Sequence, residues 1–188
     1  DFCLSRGLGD VYKRQLAYRA WLMCKHPDAA CVATNGYYVR GGKLRRLFED
    51  PARFERSGYA RSLVESNNWL ASCGGMFRSD RVSAAYFRAL PPHREWTVVG
   101  FRLASRLKVH FEDAPTFCIY DTEASESKKE SYMQHAVEIC EDMLRWNTDP
   151  RHVCMILRRQ GHAYRAMCSH YRLNNDFPRA WQAYWNAI

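Results

Sequence analysis

The chain has no long apolar run: nothing in it approaches the roughly 20 residues a membrane-crossing helix needs. Its N-terminus also lacks the continuous apolar stretch of a secretory signal. None of the eight cysteines, at 3, 24, 31, 73, 118, 140, 154 and 168, forms a Cys-x-x-Cys pair. Lysine is scarce, 6 residues against 22 arginines. There is no Walker loop, Gly-x-Gly-x-x-Gly, His-Glu-x-x-His or Gly-x-Ser-x-Gly. These absences argue against a transmembrane protein, a disulfide-stapled domain, a P-loop or dinucleotide-binding enzyme, a zincin and an α/β-hydrolase.

What is present is the composition of a folded domain. The 188 residues are 47% apolar, 14% aromatic and 26% charged, with net charge +8. A chain of this size buries about two thirds of its unfolded surface and needs no disulfide or metal staple to fold. Disorder, collagen and coiled coil are excluded by the same composition. The cysteines fall mostly in apolar stretches, where they are expected as small hydrophobes. A reducing, cytoplasmic compartment follows.

Charge is segregated. Residues 40–108 hold fourteen basic and six acidic side chains, 112–142 hold two and nine, and 143–188 hold seven and two. A basic stretch serves phosphate-bearing ligands or anionic lipid, so peripheral contact with the inner face of a membrane is compatible with it. Nucleic acid is not an expected partner, because charge alone would carry it.

Asp1 to Gln15 shows neither helical nor strand periodicity. Asp10-Val11-Tyr12-Lys13-Arg14-Gln15 resembles the translation of a transposon mosaic-end adapter used in DNA library preparation, so 1–15 are read as a cloning scar. Residues 16–26 read as a helix end stopped by His26-Pro27. Cys31–Thr34 and Tyr37–Val39 read as short strands bent at Asn35-Gly36, with a turn at Gly41-Gly42. A helix is expected over 58–65, a strand or turn over 71–78, and helices over 80–90 and 95–107. Val109–Phe111 and Thr116–Tyr120 read as two further β segments. Beyond Ser127 the apolar spacing is purely helical, giving three helices. The second starts at Asp149-Pro150 and the third near Asp176. Alternation of helices and strands predicts an α/β fold over 16–128 with an all-helical tail over 129–188.

Four segments taken in order resemble one family. His26-Pro27-Asp28-Ala29-Ala30-Cys31-Val32-Ala33-Thr34-Asn35 is similar to a helix–strand step, and Asn68-Trp69-Leu70-Ala71-Ser72-Cys73-Gly74-Gly75-Met76-Phe77-Arg78 to an acceptor-side turn. Arg94-Glu95-Trp96 with Arg102-Leu103-Ala104 is similar to a Glu-Asp-Trp motif opening a helix. Val109 to Pro115, Tyr120 and the Ser125-x-Ser127 exit are similar to the closing strands. Together they resemble the C-terminal, acceptor-side half of a family 2 glycosyltransferase with a GT-A fold. Two features depart from the family: Arg94-Glu95 stands for an acidic pair, and Arg102 lies about one residue further on.

The resemblance implies an inverting transfer, in which an acceptor hydroxyl attacks the anomeric carbon of a nucleotide sugar. A carboxylate must take the hydroxyl proton, and Glu95 is the candidate catalytic base. Trp69 and Trp96 are candidate stacking surfaces for sugar or nucleotide, Gly74 and Gly75 a close backbone approach to substrate, and Arg78 a phosphate contact. The implied partners are a nucleotide-sugar donor and a glycan, lipid or protein acceptor. The implied cofactor is a divalent metal, Mg or Mn, held by an Asp-x-Asp that 16–128 do not contain. The donor half is therefore expected upstream of Leu16, the truncated chain is expected to be inactive, and its raw sheet edge is expected to promote self-association.

A rival reading comes from the tail. Gly161-His162-Ala163-Tyr164-Arg165-Ala166 and Pro178-Arg179-Ala180-Trp181 resemble a tetratricopeptide-like helix pair, which would make the chain an interaction module without catalysis. His162, Cys168 and His170 lack the spacing of a metal site and read as ordinary helical residues.

Overall fold

The computed structural model describes residues 8–65, 68–71, 73–91, 95–120 and 131–188. Ser72, Arg94 and the Ser125-x-Ser127 exit lie outside them. The architecture is α/β: a four-stranded mixed sheet with helices on both faces.

The central strand β1, Cys31–Arg40, is paired along both edges. On one side it runs parallel to β4, Val109–Tyr120. On the other, β3 (Gly75–Phe77) pairs antiparallel with its first half and β2 (Lys43–Arg46) with its second. Two expected interruptions are corrected here. Asn35-Gly36 does not divide two strands, and 109–120 is one strand rather than two. The extra residues are absorbed as register shifts, where Thr34 faces Glu112 but Asn35 faces Pro115 and Tyr37 faces Cys118. Asn35, fully buried, makes this irregularity tolerable. Its side-chain oxygen accepts the Gly36 and Phe48 N–H groups, and its amide donates to Phe48 O (2.9 Å) and Asp113 Oδ1 (2.6 Å).

The period-two alternation sorts the sheet into two faces. Cys31, Ala33, Val109 and Phe111 point into the main core. Val32, with Leu22, Met23 and Ala29, lies on the opposite face beneath α1, Leu8–Lys25. The helix begins within the segment expected to lack regular structure, so that expectation is corrected for residues 8–15. Buried Arg19 of α1 donates to Thr116 Oγ1 (2.8 Å) and to Thr34 Oγ1 (3.4 Å), fixing α1 over the sheet.

The main core is filled by α2 (Ala52–Ser57), α3 (Tyr59–Val64) and α4 (Glu95–Arg106). The expected helix over 80–90 is absent; only a 3₁₀ turn, Ala84–Phe87, forms. Val82 is the sole buried residue of that segment, too small an apolar face to hold a helix. Its carbonyls are used elsewhere. Arg102, 2% exposed, donates to Tyr86 O (3.1 Å) and Arg88 O (2.7 Å), and Ala89 turns away with φ 49°.

The three expected tail helices form as α5 (Ser131–Trp146), α6 (Val153–Leu173) and α7 (Phe177–Asn186). The second helix starts three residues later than expected: Asp149 caps a 3₁₀ turn, Pro150–His152, that leads into α6, and Asp176 caps α7, each carboxylate accepting a backbone N–H, from Arg151 and Arg179 respectively. The tail is no separate layer. Ile139, Cys140, Met143 and Ile156 join the same buried cluster as Leu63, Trp69 and Phe101. Asp142, 5% exposed, closes an ion pair with Arg102, the Arg102 Nε lying 2.9 Å from Asp142 Oδ2. The Trp146 ring covers the guanidiniums of Arg102 and Arg106.

The cysteines depart from expectation. Cys31 and Cys140 are buried, but Cys24, Cys118 and Cys154 are exposed on the outer faces of their elements, and Cys73 is exposed in the turn before β3. Burial pushes the Cys31 thiol well above its ordinary value.

Candidate functional site

Glu95 is the first residue of α4 and is half-buried. Two residues on, Thr97 accepts a hydrogen bond from the Asn68 amide (3.4 Å). Asn68 also lines a cleft of about 540 Å³ with Arg46, Leu47, Phe48, Glu49, Asp50, Arg53 and Phe54. This volume suits a small-molecule site. Asn68 thus ties the cleft wall to the first turn of α4, where the helix dipole favours an anion, while Glu95 itself is not among the cleft-lining residues.

The walls of the cleft are built by the sheet irregularity. Asn35 grips Phe48 through both backbone groups, and Asp113 from the irregular part of β4 bonds Asn35 and Arg46 together (Arg46 Nη1 to Asp113 Oδ1, 2.6 Å). Arg53 is drawn to Glu65 (3.2 Å) and Asp50 to Arg56 (2.7 Å). Arg61 and Arg53 hold the Glu65 carboxyl below its ordinary pKa. A Mg or Mn site needs several free oxygens at once. Of the cleft acids, Asp50 is spent on Arg56, and Arg46 and Arg53 supply cations beside them. The cleft residues do not fit such a metal.

The other expected site residues are placed differently. Trp69 is 0% exposed, its ring N–H donating to Tyr59 O (3.0 Å) and its face met edge-on by the Tyr59 ring. It is a core residue and offers no face to a sugar. Tyr59 ties this corner to the sheet: its phenol oxygen accepts the Phe111 N–H (3.1 Å), and burial pushes its pKa up to about 12. Trp96 stacks on Phe77 (6.4 Å between ring centres) and packs partly buried on the core.

Gly74 and Gly75 make close approaches, but to protein. A Cβ on Gly74 would lie 2.7 Å from the Phe117 ring, and one on Gly75 would lie 2.7 Å from Leu70. Arg78 is engaged with backbone. Its guanidinium donates to Ala29 O (3.0 Å) and to Met23 O, clamping the C-terminal turn of α1 to the strand that follows. The site that sequence reasoning assembled is thus dispersed: Glu95 opens α4, linked to the cleft through Thr97 and Asn68, and Trp69, Trp96, Gly74, Gly75 and Arg78 are engaged in packing.

One constellation was missed. His26, where α1 ends, stacks on His110 of β4 (3.6 Å between ring centres, 21° between planes), and His110 Nε2 lies 3.4 Å from Glu112 Oε2. Burial, then the facing His110, lower the His26 pKa. Tyr18, one helical turn before Leu22, has its pKa raised by burial and by Glu112. The available signal was the His-x-Glu alternation of β4, which puts both side chains on the face beneath α1.

No family model matches the chain, and no curated protein or solved structure shows significant similarity to it. Among the described residues, no helix is long and apolar enough to cross a membrane.

Proposed function

We propose that the chain is the acceptor-side half of a GT-A-type glycosyltransferase domain that transfers a sugar from a nucleotide sugar to a glycan, lipid or protein hydroxyl. The observation that carries this reading is Glu95 at the start of α4, two residues before Thr97, which Asn68 links to a cleft of about 540 Å³. Parallel pairing of β1 with β4, with α1 crossing one face, is the layering such a domain needs.

In this reading an acceptor hydroxyl enters the cleft and Glu95 takes its proton as the oxygen attacks the anomeric carbon from the face opposite the departing diphosphate. Inversion follows from that geometry. Arg46 and Arg53 supply cationic lining, and Phe48 and Phe54 supply apolar lining for a sugar ring. The reading assigns donor binding and the Mg or Mn ion to sequence outside this chain, so the chain alone is expected to be inactive.

The test is manganese-dependent turnover of nucleotide sugars by a chain extended upstream, with and without Glu95→Gln. Loss of the base is expected to lower kcat by roughly 10²–10⁴-fold with nucleotide affinity retained. Undiminished kcat in Glu95→Gln would remove Glu95 from the chemistry.

A second reading, partner binding by the helical tail, is favoured by α7. Trp181 and Trp185 are 60% and 63% exposed, and Trp181 borders an apolar groove of about 410 Å³ with Cys168, Phe177 and Tyr184. Activity of the extended chain that survives Trp181→Ala together with Trp185→Ala separates this face from catalysis.

A further inference from the structure

The three ligand-bearing side chains His26, His110 and Glu112 come from two elements with no sequence proximity, and they converge beneath the C-terminal end of α1. Their ligand atoms all lie within 4.8 Å of one another. We propose that these residues bind a late first-row divalent cation of the zinc class, through two imidazole nitrogens and one carboxylate oxygen, with a fourth position open to water or an exchangeable ligand.

The backbone on both sides of the site is held in place. The His26 N–H continues α1 by donating to Leu22 O (2.9 Å), and Pro27 then forbids a further helical turn. The Ala29 N–H closes a tight turn onto His26 O (3.1 Å), and the Ala30 N–H donates to Lys108 O (2.7 Å), two residues before His110. The guanidinium of Arg78 ties down Met23 O and Ala29 O. His26 is thus delivered over β4 by a short connection fixed at each end. His110 and Glu112 lie one strand repeat apart on that same face, paired in register with Val32 and Thr34.

Two features point to a cation rather than to packing alone. His26 Nε2 is buried and has no hydrogen-bond partner, an arrangement that ordinarily costs about 1–3 kcal/mol. The His110–Glu112 contact, 3.4 Å, is longer than an ordinary N–H···O bond, so neither group is fully satisfied by the other. The two imidazoles stack nearly parallel, so one ring swings out of the stack for both in-plane lone pairs to meet a single ion. A cation bound about 2.0–2.1 Å from each donor answers both features, and reaching it draws ligand atoms that now lie within 4.8 Å of one another to about 3.4 Å apart, by side-chain rotation out of the ring stack.

The donor chemistry selects the ion. Two imidazoles with one carboxylate suit zinc and its neighbours, whereas Mg and Ca demand oxygen. Three protein ligands on a half-buried rim leave a coordination position facing solvent, as in sites that bind an exchangeable ligand. Competing cations are already engaged: Lys108 pairs with Asp28, and Lys25 lies over the Trp21 ring (5.1 Å). The site lies on the α1 face of the sheet, opposite the Phe111 face, and its occupancy does not depend on the transferase reading.

The test uses the full chain with reduced thiols, titrated with Co²⁺ and with Zn²⁺ against a competing chelator. One equivalent of Co²⁺ is expected to give the intense visible bands of a four-coordinate site without a sulfur-to-metal charge-transfer band. His26→Ala and His110→Ala are each expected to weaken binding by roughly tenfold or more, and Glu112→Gln to weaken it also, while His162→Ala leaves it unchanged. Because the stacked imidazoles also contribute packing, each variant is checked by circular dichroism, and the unmutated chain is examined by zinc-edge X-ray absorption. Two imidazole nitrogens per zinc are expected. Binding that survives both histidine substitutions, sulfur neighbours around the zinc, or no stoichiometric binding would each overturn the assignment.

Discussion

The Arg102–Asp142 pair joins the sheet layer to the helical tail, and removing one partner should be costly. Both side chains are almost fully buried, and the pair is made through two guanidinium nitrogens. Asp142→Ala deletes two charge-assisted hydrogen bonds and leaves Arg102 charged in a dry environment beneath Trp146. Deleting one member of such a pair typically costs about 3–5 kcal/mol. For a chain of 188 residues this lowers Tm by roughly 10 °C, at about 2–4 °C per kcal/mol. The double substitution Asp142→Leu with Arg102→Met should recover only part of the loss. The Tyr86 and Arg88 carbonyls then lose their donor, and each such orphan costs about 1–3 kcal/mol. Urea titration and thermal melting of the two single variants and the double variant give the coupling energy. A cost for Asp142→Ala below about 1 kcal/mol, the range of exposed pairs, would refute the buried-pair reasoning.

Other outcomes are equally specific. Gly74→Val should destabilise by about 1–3 kcal/mol through overpacking against Phe117 and the Thr34 carbonyl, with partial rescue by Phe117→Leu; no rescue would move the clash elsewhere. Asp149 has its pKa lowered to about 2 by the Arg151 side chain and by the N–H it caps. Its stabilising contribution is therefore complete above its unfolded value and fades as pH falls from about 4 toward about 2. Melts at about pH 5 and about pH 2 should show Asp149→Ala less stable than the parent at the higher pH, with most of that gap gone at the lower. A gap that does not change with pH would contradict the assignment. Glu95→Gln should leave the unfolding free energy within about 0.5 kcal/mol of the parent, as expected for a substitution outside the core, while lowering kcat of the extended chain by roughly 10²–10⁴-fold.

Much of the layering was legible because it is written in local periodicity. The tail helices carry Asp149 and Asp176 caps and apolar residues at helical spacing, and α4 opens at Glu95 as expected. What escaped was decided by distant partners. The helix expected over 80–90 gives way because Arg102 takes its carbonyls. The break expected at Asn35-Gly36 closes because Asn35 substitutes for missing ladder bonds. Trp69, Gly74 and Arg78 were residues of the right chemical type for a ligand. Their surroundings, Tyr59, Phe117 and the end of α1, come from elsewhere in the chain and could not be read locally. His26 and His110, more than 80 residues apart, meet for the same reason.

The shared core of sheet and tail also bears on how such a gene can change. Ile139, Met143 and Ile156 complete the interior that Leu63 and Phe101 begin, and Asp142 neutralises a charge planted on α4. Recombination at residues 121–130 would hand a new host either an unlined sheet or a helical hairpin with a bare acidic group at its centre. Neither part keeps a complete interior without the other. Variation that is tolerated should collect on the outer faces, where Cys154, Leu157 and Trp185 meet solvent.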